Sequence, residues 1–422
     1  MKNLKVKLML QLIALVIIFL NAKELFTFTY RTAIPSLIIP PSAFNHSIGG
    51  AGVAVPTDDA FNVFSNPALL GLSSRETNFS ANFYPENIKI KPFGGDPYFY
   101  NFAISAGINL DKQMGIPLSL GIGYLRQYSD LGEHIRTRED GAAIGAYRSE
   151  ESANSFFLAA STEFWVKLAL GFGVKFISPE SNPILIDEDI TAFDFGIIAV
   201  APIVKDYVLS DELSGNFNFS AGYSLKNLGN EIKYNFNHDF IIYTYEREYY
   251  RPKPLPRTER LGIGLNINFD YDFKGTKIKI LNVDFTSEAN ADLVKIDSLG
   301  YEYRPILSET NIWKNIIQAK SSENVINRLG WRLNLFEFVS YSDGRKFEYY
   351  PYSDLNYTTS GFSIETTGIF KILNALIGNS DFGYIANHFN LRFSYAEIKG
   401  EAGVLGFNNY KNIELIVKGF SF

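Results

Sequence analysis

A two-residue alternation of apolar and polar side chains is the feature that most restricts the fold of this chain. It is clearest over 216–225, where Phe217, Phe219 and Tyr223 alternate with polar or small residues, and it recurs over 261–270. A strand sends successive side chains to opposite faces, so each such segment predicts a strand with one apolar and one polar face. A chain built this way must bury a large apolar surface in a core or present it to lipid.

The N-terminal residues have the pattern of a secretory signal peptide. Three lysines precede an apolar run over 8–20, which is a typical length for the hydrophobic region of a signal and short for a spanning helix. We therefore expect cleavage after Ala22, so that residues 1–22 are removed. An uncleaved N-terminal anchor is the alternative.

The composition excludes several classes of site. The chain has no cysteine, so disulfides, a thiol nucleophile and a cysteine metal site are impossible. A net charge of −6 argues against nucleic acid as a partner. Aromatic residues make up 15% of the chain, which suits a surface that meets lipid and has aromatic girdles at its edges.

The alternation continues from about residue 77 to the end without a linker or a shift in composition, which favours one large closed sheet. The connections tend to alternate between long and short, as in outer-membrane barrels, with tight turns expected at Trp165 and at Asp343–Gly344. We therefore predict an all-β fold, a transmembrane outer-membrane β-barrel of about 14 antiparallel strands formed by residues 76–422. The strands are expected near 77–84, 98–109, 117–127, 153–164, 166–176, 190–202, 214–227, 258–270, 276–286, 324–339, 345–352, 359–370, 385–397 and 409–422.

The size of such a barrel decides which face of each strand is outside. With about fourteen strands the interior is too wide for side chains alone to fill, so the apolar set is expected to face lipid. This assigns Phe217, Tyr223 and Phe393 to the lipid side. It assigns Asn218, Ser224 and Arg392 to the lumen.

The last residue of the sequence also favours an outer-membrane barrel. The chain stops at Phe422, within an expected strand, with Phe420 two positions before it. A terminal aromatic residue in the final strand looks like the signal read by the barrel-assembly machinery. The alternative is a strand that simply ends in phenylalanine.

Residues 23–75 differ from the rest and predict an N-terminal arm and a hatch that plugs the lumen. The stretch 42–75 is rich in glycine and alanine, Asp58 and Asp59 can cap a short helix through Phe64, and Pro67 then ends it. An arm clamped on the barrel rim is the alternative. The residues singled out for the hatch are Gly49, Gly50, Gly52, Asp59, Asn66, Pro67 and Ala68.

These residues carry a resemblance to a known family. The runs GGAGVAV at 49–55 and SNPALLGL at 65–72 resemble the N-terminal hatch of FadL-type barrels, and especially of the PorV/PorQ branch associated with type IX secretion. Further matching points are Asn227, Leu228 and Gly229 within 222–234, and LPRTERLGIG at 255–264. The resemblance implies a fourteen-stranded barrel whose hatch gates hydrophobic molecules in FadL-like members. In PorV-like members it implies a barrel that receives secreted cargo.

No constellation for catalysis is visible, so we predict a protein that is not an enzyme and needs no metal or cofactor. The histidines His46, His134, His238 and His388 are isolated from one another, without metal-type spacing. His388 is expected to line the lumen from a strand. Acidic runs at 139–140, 150–151 and 187–189 are expected in solvated outer loops, with a calcium site as the minor alternative. The glycine pairs 121/123, 171/173 and 262/264 fall at strand period and are expected to point inward as small residues.

Three functions are therefore in competition. The first is a PorV/PorQ-like component of protein secretion or surface attachment, with secretion subunits and cargo proteins as partners. The second is a FadL-like channel for fatty acids or other hydrophobic small molecules, which predicts an apolar pocket beside the hatch and a lateral opening in an early strand. The third is a structural porin or adhesin. All three place the mature chain in the outer membrane, in contact with lipid.

Overall fold

A single closed barrel dominates the computed structural model, which describes residues 33–84, 98–137, 143–181, 184–186, 190–236, 253–297, 300–347, 356–400 and 409–420. The expected signal peptide and Phe422 lie outside the described residues. Fourteen long strands form the barrel wall. They are β1 (Thr77–Tyr84), β2 (Tyr98–Asn109), β3 (Leu118–Thr137), β4 (Ala143–Glu163), β5 (Lys167–Ser181), β6 (Ile190–Val208), β7 (Leu213–Gly229), β8 (Thr258–Phe273), β9 (Thr276–Asp292), β10 (Val325–Leu335), β11 (Val339–Phe347), β12 (Tyr357–Glu365), β13 (Phe389–Gly400) and β14 (Asn409–Lys418).

Each strand pairs antiparallel with the next one in the chain, and the last pairs with the first. The β14–β1 ladder joins Val417 to Phe79 and Ile413 to Phe83. Because the fourteen described wall strands close on themselves, the wall has no free edge to pair with another molecule. The predicted all-β barrel of about fourteen antiparallel strands is confirmed.

The apolar faces of the strands point away from the lumen. On β13, the side chains of Phe389, Leu391 and Phe393 are exposed on the outside. Arg392, which alternates with them, forms ion pairs in the interior. On β7, Ser224 is fully buried inside the barrel. The predicted assignment of lipid and lumen faces is confirmed for both strands.

The two ends of the barrel differ in the length of their connections. At one end the strands are joined by short turns, for example at 164–166, 274–275 and 336–338. The other end carries the longer connections and two short strand pairs, Ile184–Ile186 with Tyr234–Phe236 and Val294–Asp297 with Gly300–Tyr303. Outer-membrane barrels place short turns in the periplasm and long loops outside, so we call these the short-turn end and the outer end.

Short helices lie in the N-terminal segment and at the short-turn end. The α-helices are α1 (Ala43–Ser47), α2 (Leu69–Ser73), α3 (Asp111–Met114), α4 (Thr366–Ile377) and α5 (Ser380–His388), with 3-10 turns at Pro35–Ile38 and Ala60–Phe64 and a π-helical turn at Ile312–Ile317. No helix in the described part of the chain is long and apolar enough to cross a membrane.

The predicted strands between 324 and 397 are partly wrong. The tight turn lies at 336–338, where Phe336 and Glu337 both have positive φ. Asp343 and Gly344 instead lie within β11 and pair with Trp331 and Gly330. The expected strands near 359–370 and 385–397 are shortened because α4 and α5 occupy 366–388 between them.

Three other expectations also need correction. The predicted loop 128–152 is largely strand, because β3 continues to Thr137 and β4 begins at Ala143. Glu150 and Glu151 therefore lie in β4 and not in an outer loop. The acidic residues at 139–140 and 187–189 lie outside the described residues. The final strand ends at Lys418, and Gly419 (φ 78°) turns the chain so that Phe420 stacks on His388 with ring centroids 4.5 Å apart.

Candidate functional site: the hatch and its seat

Residues 33–75, here called the hatch, fill the barrel interior before β1 begins. They touch opposite sides of the wall: Pro67 lies against Gly171 of β5, and Gly49 lies against Gly344 of β11. A Cβ atom at either wall glycine would overlap the backbone of the hatch. The segment is therefore a plug inside the lumen, and the alternative of an arm on the barrel rim is wrong.

Inward glycines of the wall form the seat of the hatch. Gly262 of β8 lies against Val53, and Gly121 of β3 lies against Leu70. Side chains at these wall positions would push the hatch towards the barrel axis. The expectation that the glycine pairs are inward small residues is confirmed, and the hatch is the reason for them.

Gly49 and Gly50 make a sharp bend in the hatch. Both have positive φ, 69° and 78°, which glycine adopts without the steric cost that a Cβ brings. The bend aims the Gly49 N–H at Thr359 Oγ1 (3.0 Å) and the Gly50 carbonyl at Arg260 of β8 (2.6 Å). Gly52 follows in close contact with the hatch itself, where a Cβ would meet the Asn45 side chain.

Asp59 joins two hatch segments to the wall. It is the N-cap of the 3-10 turn Ala60–Phe64, and its Oδ1 accepts from the Phe61 N–H (2.8 Å) and from Asn82 of β1 (2.7 Å). Its Oδ2 accepts from Ser42 Oγ at 2.6 Å. Burial raises the pKa of Asp59, and these hydrogen bonds oppose the rise. Asp59 therefore caps the turn, as the sequence predicts.

Asn66, Pro67 and Ala68 form a compact turn against β5 and β6. Asn66 is fully buried, and its amide donates to the carbonyls of Val53 (3.0 Å) and Ile197 (3.1 Å). Its Oδ1 accepts from the Ala68 N–H at 3.0 Å, just before α2 begins. One side chain thus connects two hatch segments with the wall.

The strongest ionic contact between hatch and wall, here called the Arg392 latch, lies near the short-turn end. The Arg392 guanidinium contacts Asp58 of the hatch (2.9 Å), Glu414 of β14 (2.9 Å) and Glu365 of β12 (3.2 Å). Burial alone would raise the pKa of Asp58, but the charge of Arg392 outweighs it, with help from Lys418, and lowers that pKa to about 2. Asp58 is therefore ionised at neutral pH and holds the hatch through a partly buried charge pair.

A second contact, here called the Arg260 latch, holds the bend of the hatch. Arg260 of β8 and Glu288 of β9 pair at 2.6 Å, and both side chains are almost fully buried. Each of them also binds hatch backbone: Arg260 donates to the Gly50 carbonyl, and Glu288 accepts from the Val53 N–H at 2.9 Å. The pair therefore recognises backbone groups, which no side-chain motif would reveal.

Lys226 of β7 makes a third contact. Its ammonium group lies 3.4 Å from the centre of the Phe64 ring and donates to the Phe64 carbonyl. A buried ammonium needs such partners because desolvation of a charge is costly. This contact fixes the end of the 3-10 turn against the wall.

Asn227, Leu228 and Gly229 end β7, next to a buried ion pair. Asn227 has positive φ (57°), its side-chain oxygen accepts from Lys175 Nζ (2.6 Å), and its backbone N–H donates to Asp194 Oδ1 (2.8 Å). Lys175 and Asp194 pair at 2.7 Å. Leu228 and Gly229 continue the ladder with β6. The motif therefore shapes the wall, and it is Asn227 that binds the ion pair.

The inner faces of β1–β4 present an apolar surface to the hatch. Phe61 and Phe64 pack against the inner faces of the first four strands, where Leu125 and Phe157 are almost completely buried. The lumen thus has an apolar sector beside β1–β4, while the Arg392 and Arg260 latches lie on β8–β14. The apolar sector is formed by Ala60, Phe61, Val63, Phe64, Leu70, Tyr84, Phe99, Ala103, Leu125, Phe157, Ala159, Ala396 and Tyr410.

The outer face of the same strands has an apolar groove. It encloses about 450 Å³ and is lined by outward side chains that include Ile122, Phe156 and Phe172. The expected lateral opening in an early strand is absent from the described residues, because the β2–β3 and β4–β5 ladders run without a register shift. The β3–β4 ladder is interrupted at 130–133 and at 136–137, both towards the outer end, and the β14–β1 ladder is interrupted at 77–79. The groove therefore does not communicate with the lumen through a gap in these ladders.

His46 is buried in the hatch and stacks on Tyr410 of β14 with ring centroids 3.4 Å apart. Its Nε2 lies 2.8 Å from the Pro40 carbonyl and donates to it. Burial lowers the pKa of His46 to about 3, against a smaller opposing effect of the Pro40 bond. The imidazole is therefore neutral at physiological pH.

The other candidate chemical groups lie apart. His388 ends helix α5 at the short-turn end and bonds the Lys418 carbonyl (2.9 Å), so the expectation that it lines the lumen from a strand is wrong. His238 and the side chain of His134 lie outside the described residues. Within the described ranges, no group of three or more His, Asp or Glu side chains could hold a metal ion.

The partners of the latches could not be found from the sequence. The hatch residues Asp59 and Asn66 stood out because of their local motifs. Arg260 lies within the matching run 255–264, but nothing in that run indicated its role. Lys175 and Glu288 had no local signal except an inward position in a strand. Arg260 lies opposite Asn290 and Glu288 lies opposite Gly262, so the two charged residues are diagonal neighbours on the inner face. A correct strand register would have exposed this pattern.

Comparison with known proteins leaves the family open. No family model and no curated protein matches the chain. The chain is similar to the CymD monoaromatic hydrocarbon channel (10% identity, 92% of this chain, 100% of that chain, TM-score 0.39) and to the Pseudomonas putida toluene transporter TodX (9%, 89%, 96%, 0.39). It is also similar to a Pseudomonas aeruginosa FadL homologue, with 9% sequence identity over 90% of this chain and 98% of that chain and a TM-score of 0.37. Similarity at this level establishes neither the family nor the function of this chain.

Proposed function

We propose that this protein is a hatch-gated outer-membrane channel for hydrophobic small molecules, of the FadL type. The observation that carries the proposal is the apolar sector of the lumen between Phe61 and Phe64 of the hatch and Leu125 and Phe157 of the wall. Pockets for apolar ligands are lined mainly by hydrophobic and aromatic side chains. A lumen that served only ions or water would not need such a surface beside its plug.

The distribution of contacts suggests how the gate works. Ionic and polar contacts hold the hatch on the side of β8–β14, through Arg260 and Arg392. On the other side, apolar packing of Phe61 and Phe64 covers the middle of the contact. Polar contacts, such as Arg75 with Glu163 of β4 (3.1 Å), hold the hatch around it. A hydrophobic molecule can replace apolar packing at little cost, because its own burial compensates for the contacts that are lost. The part of the hatch around Phe61 and Phe64 would then shift away from β1–β4, while the latches and the Arg75–Glu163 pair keep the hatch in the barrel.

Uptake of labelled oleate and of labelled toluene by cells tests this function. Cells with the full chain should take up at least one of them faster than cells without it. Leu125→Asn, which places an amide in the apolar sector, should lower that uptake several-fold. Ser342→Asn is the matched control, because Ser342 is also buried, on the polar side of the lumen. Equal uptake with and without the protein would refute the proposal.

Two measurements separate the competing functions. A porin would conduct ions in planar bilayers with the hatch in place, whereas the proposed channel conducts only after residues 42–75 are deleted. The role in protein secretion or surface attachment stays a prediction from the resemblance. It requires secreted surface proteins to be mislocalised when this protein is absent.

A further inference from the structure

A segment of the longest outer connection folds back over the outside of the barrel wall. Residues 304–322, here called the outer flap, lie against the outward faces of β8, β9 and β10. The alternation of side chains along β8 shows that the flap lies on the outside. Arg260 points into the lumen, so its neighbours Glu259 and Leu261 point outward. The flap contacts these outward residues and not the hatch.

Polar groups on the outside of the wall anchor the flap. Glu259 is 1% exposed and accepts from the Leu307 N–H (2.8 Å) and from Thr310 Oγ1 (3.0 Å). Ser287 of β9 donates to the Ile316 carbonyl at 2.7 Å, and Asn327 of β10 donates to the Asn315 carbonyl at 2.5 Å.

Apolar packing completes the docking. Ile316 is 2% exposed and packs against Ala289, Ala291 and Val325, next to the outward side chain of Leu261. The flap therefore has one defined position on the wall. It covers a carboxylate that would otherwise face lipid, where an unpaired charge is costly.

The free side of the flap is apolar. Its five large apolar side chains, apart from the anchoring Ile316, are each more than half exposed. Three of them belong to the π-helical turn, and one of these three is a tryptophan whose side chain is 66% exposed. The set consists of Ile306, Leu307, Ile312, Trp313 and Ile317.

We propose that the outer flap is seated in the outer leaflet of the membrane, with these side chains among the lipid acyl chains. Continuity with the lipid-facing belt supports lipid as the occupant. The flap covers the pair Ile263–Ser287, and the next outward pair, Leu265–Phe285, is open and exposed. The apolar surface therefore passes from wall to flap without interruption.

The height of the flap fits the same occupant. Ile263 lies ten residues from the end of β8 at Phe273. At ~3.3 Å per residue and a tilt of about 40°, this is roughly 25 Å along the barrel axis, the height of an outer-membrane apolar band. Trp313 thus lies where tryptophan is enriched, at the membrane interface. Lys314 and Lys320 on the same segment are exposed and can reach lipid phosphates.

The three tryptophans of the chain allow a direct test. The variant Trp165→Phe/Trp331→Phe keeps only Trp313, and Trp165→Phe/Trp313→Phe keeps only Trp331, which faces outward on β10. Each is folded into phosphatidylcholine vesicles with and without acyl-brominated lipid. We expect brominated lipid to quench both tryptophans several-fold more strongly than acrylamide does.

The opposite pattern for Trp313 would overturn the proposal. If acrylamide quenches Trp313 and brominated lipid does not, while Trp331 behaves as a lipid-facing control, the flap is a water-exposed surface suited to a soluble protein. Should a double variant fail to fold, the difference between the full chain and Trp313→Phe gives the same readout. If the emission missing from Trp313→Phe is the part that brominated lipid quenches, the flap lies in the membrane. If it is the part that acrylamide quenches, the proposal is refuted. The result does not depend on what the channel transports.

Discussion

Asp58 of the hatch and Arg392 of the wall face each other at 2.9 Å, inside a barrel whose outer surface is apolar. The guanidinium also binds Glu365 and Glu414, so one cation is shared by three carboxylates. Removing the cation and removing one anion therefore have unequal consequences, because only the first leaves buried carboxylates unpaired.

Loss of Arg392 should release the hatch. Replacing it by methionine leaves the buried Glu365 and Glu414 without their paired cation, at a cost of about 3–5 kcal/mol for a broken buried pair. Asp58 keeps only the neighbouring charge of Lys418. Asp58→Asn leaves the arginine with two carboxylates and should have a smaller effect. Since the chain has no cysteine, Val63→Cys, which places a thiol in the buried hatch, reports release through its rate of labelling by a water-soluble thiol reagent.

The control for this series is Lys277→Met. Lys277 pairs with Asp270 at 3.3 Å, but its side chain is 59% exposed and does not touch the hatch. Labelling should increase in the order Lys277→Met, Asp58→Asn, Arg392→Met. If Asp58→Asn labelled as fast as Arg392→Met, the shared-cation account of the latch would be wrong.

The wall glycines should tolerate no side chain while the hatch is seated. Gly171→Val introduces methyl groups against the backbone of Pro67, and overpacking of this kind costs about 1–3 kcal/mol. We expect faster labelling of Val63→Cys with the barrel itself intact, as judged by resistance to unfolding in detergent gels. Leu170→Val on the outward face of the same strand should leave the labelling rate unchanged. Unchanged labelling in Gly171→Val would show that the hatch is not seated on this glycine.

Asn227 contributes through its backbone and its side chain, and two substitutions separate these roles. Asn227→Gly keeps the positive φ at low cost but loses the bond to Lys175, worth about 1.5–3 kcal/mol for a charged partner. Asn227→Ala loses the same bond and adds about 1–2 kcal/mol for a Cβ in the left-handed region. Thermal unfolding should therefore rank wild type above glycine and glycine above alanine. An alanine variant as stable as the glycine variant would contradict the backbone part of this argument.

Most of the barrel could be predicted from the sequence because strand periodicity is local. The alternation at Phe217 and Phe219 gives both the strand and the direction of its side chains. Gly344 shows the limit of such reasoning. An aspartate followed by glycine is a turn signal, but here the glycine lies in a strand because Gly49 of the hatch lies against it. A local pattern cannot tell a glycine that is needed for a turn from a glycine that is needed for close contact, since this contact joins residues distant in the chain.

The same limit explains the missed latches and the missed helices. Arg392 was expected to face the lumen, but its partners Asp58 and Glu414 are set by closure of the barrel and by the path of the hatch. The sequence pattern predicts strand for the first residues of helix α4, 366–370, and a connection for 371–384, although Ile369 and Leu376 with their neighbours recur at helical spacing. Its polar face binds the turns of the short-turn end through the Lys371–Glu337 pair at 2.5 Å, which no single segment reveals.

The outward face of the strands should reject charge. Phe219→Arg and Leu391→Arg place a cation in the lipid-facing belt, at a cost of roughly 2–4 kcal/mol near the bilayer midplane. Asn218→Arg, one residue away on the luminal face, is the matched control for the first variant. Denaturant unfolding in vesicles measures the difference. Equal stability of Phe219→Arg and Asn218→Arg would reverse the assignment of the two faces.

The buried histidine of the hatch should make the stability of the fold depend on pH. The pKa of His46 is about 3 in the folded protein because of burial, and an unfolded histidine has a pKa of about 6.5. Between these values the unfolded chain binds a proton that the folded chain does not. The contribution of His46 to stability is therefore fully present above pH 6.5 and is lost as the pH falls towards 3.

His46→Phe isolates this effect, because phenylalanine keeps a ring on Tyr410 but binds no proton. Asp59, whose pKa burial raises, acts in the opposite direction at acidic pH, and it is present in both proteins. The fall in melting temperature from pH 7.5 to pH 4.5, followed by circular dichroism, should thus be larger for the wild type than for His46→Phe. Equal falls would mean that His46 becomes protonated without leaving its site, and that its burial does not oppose the charge.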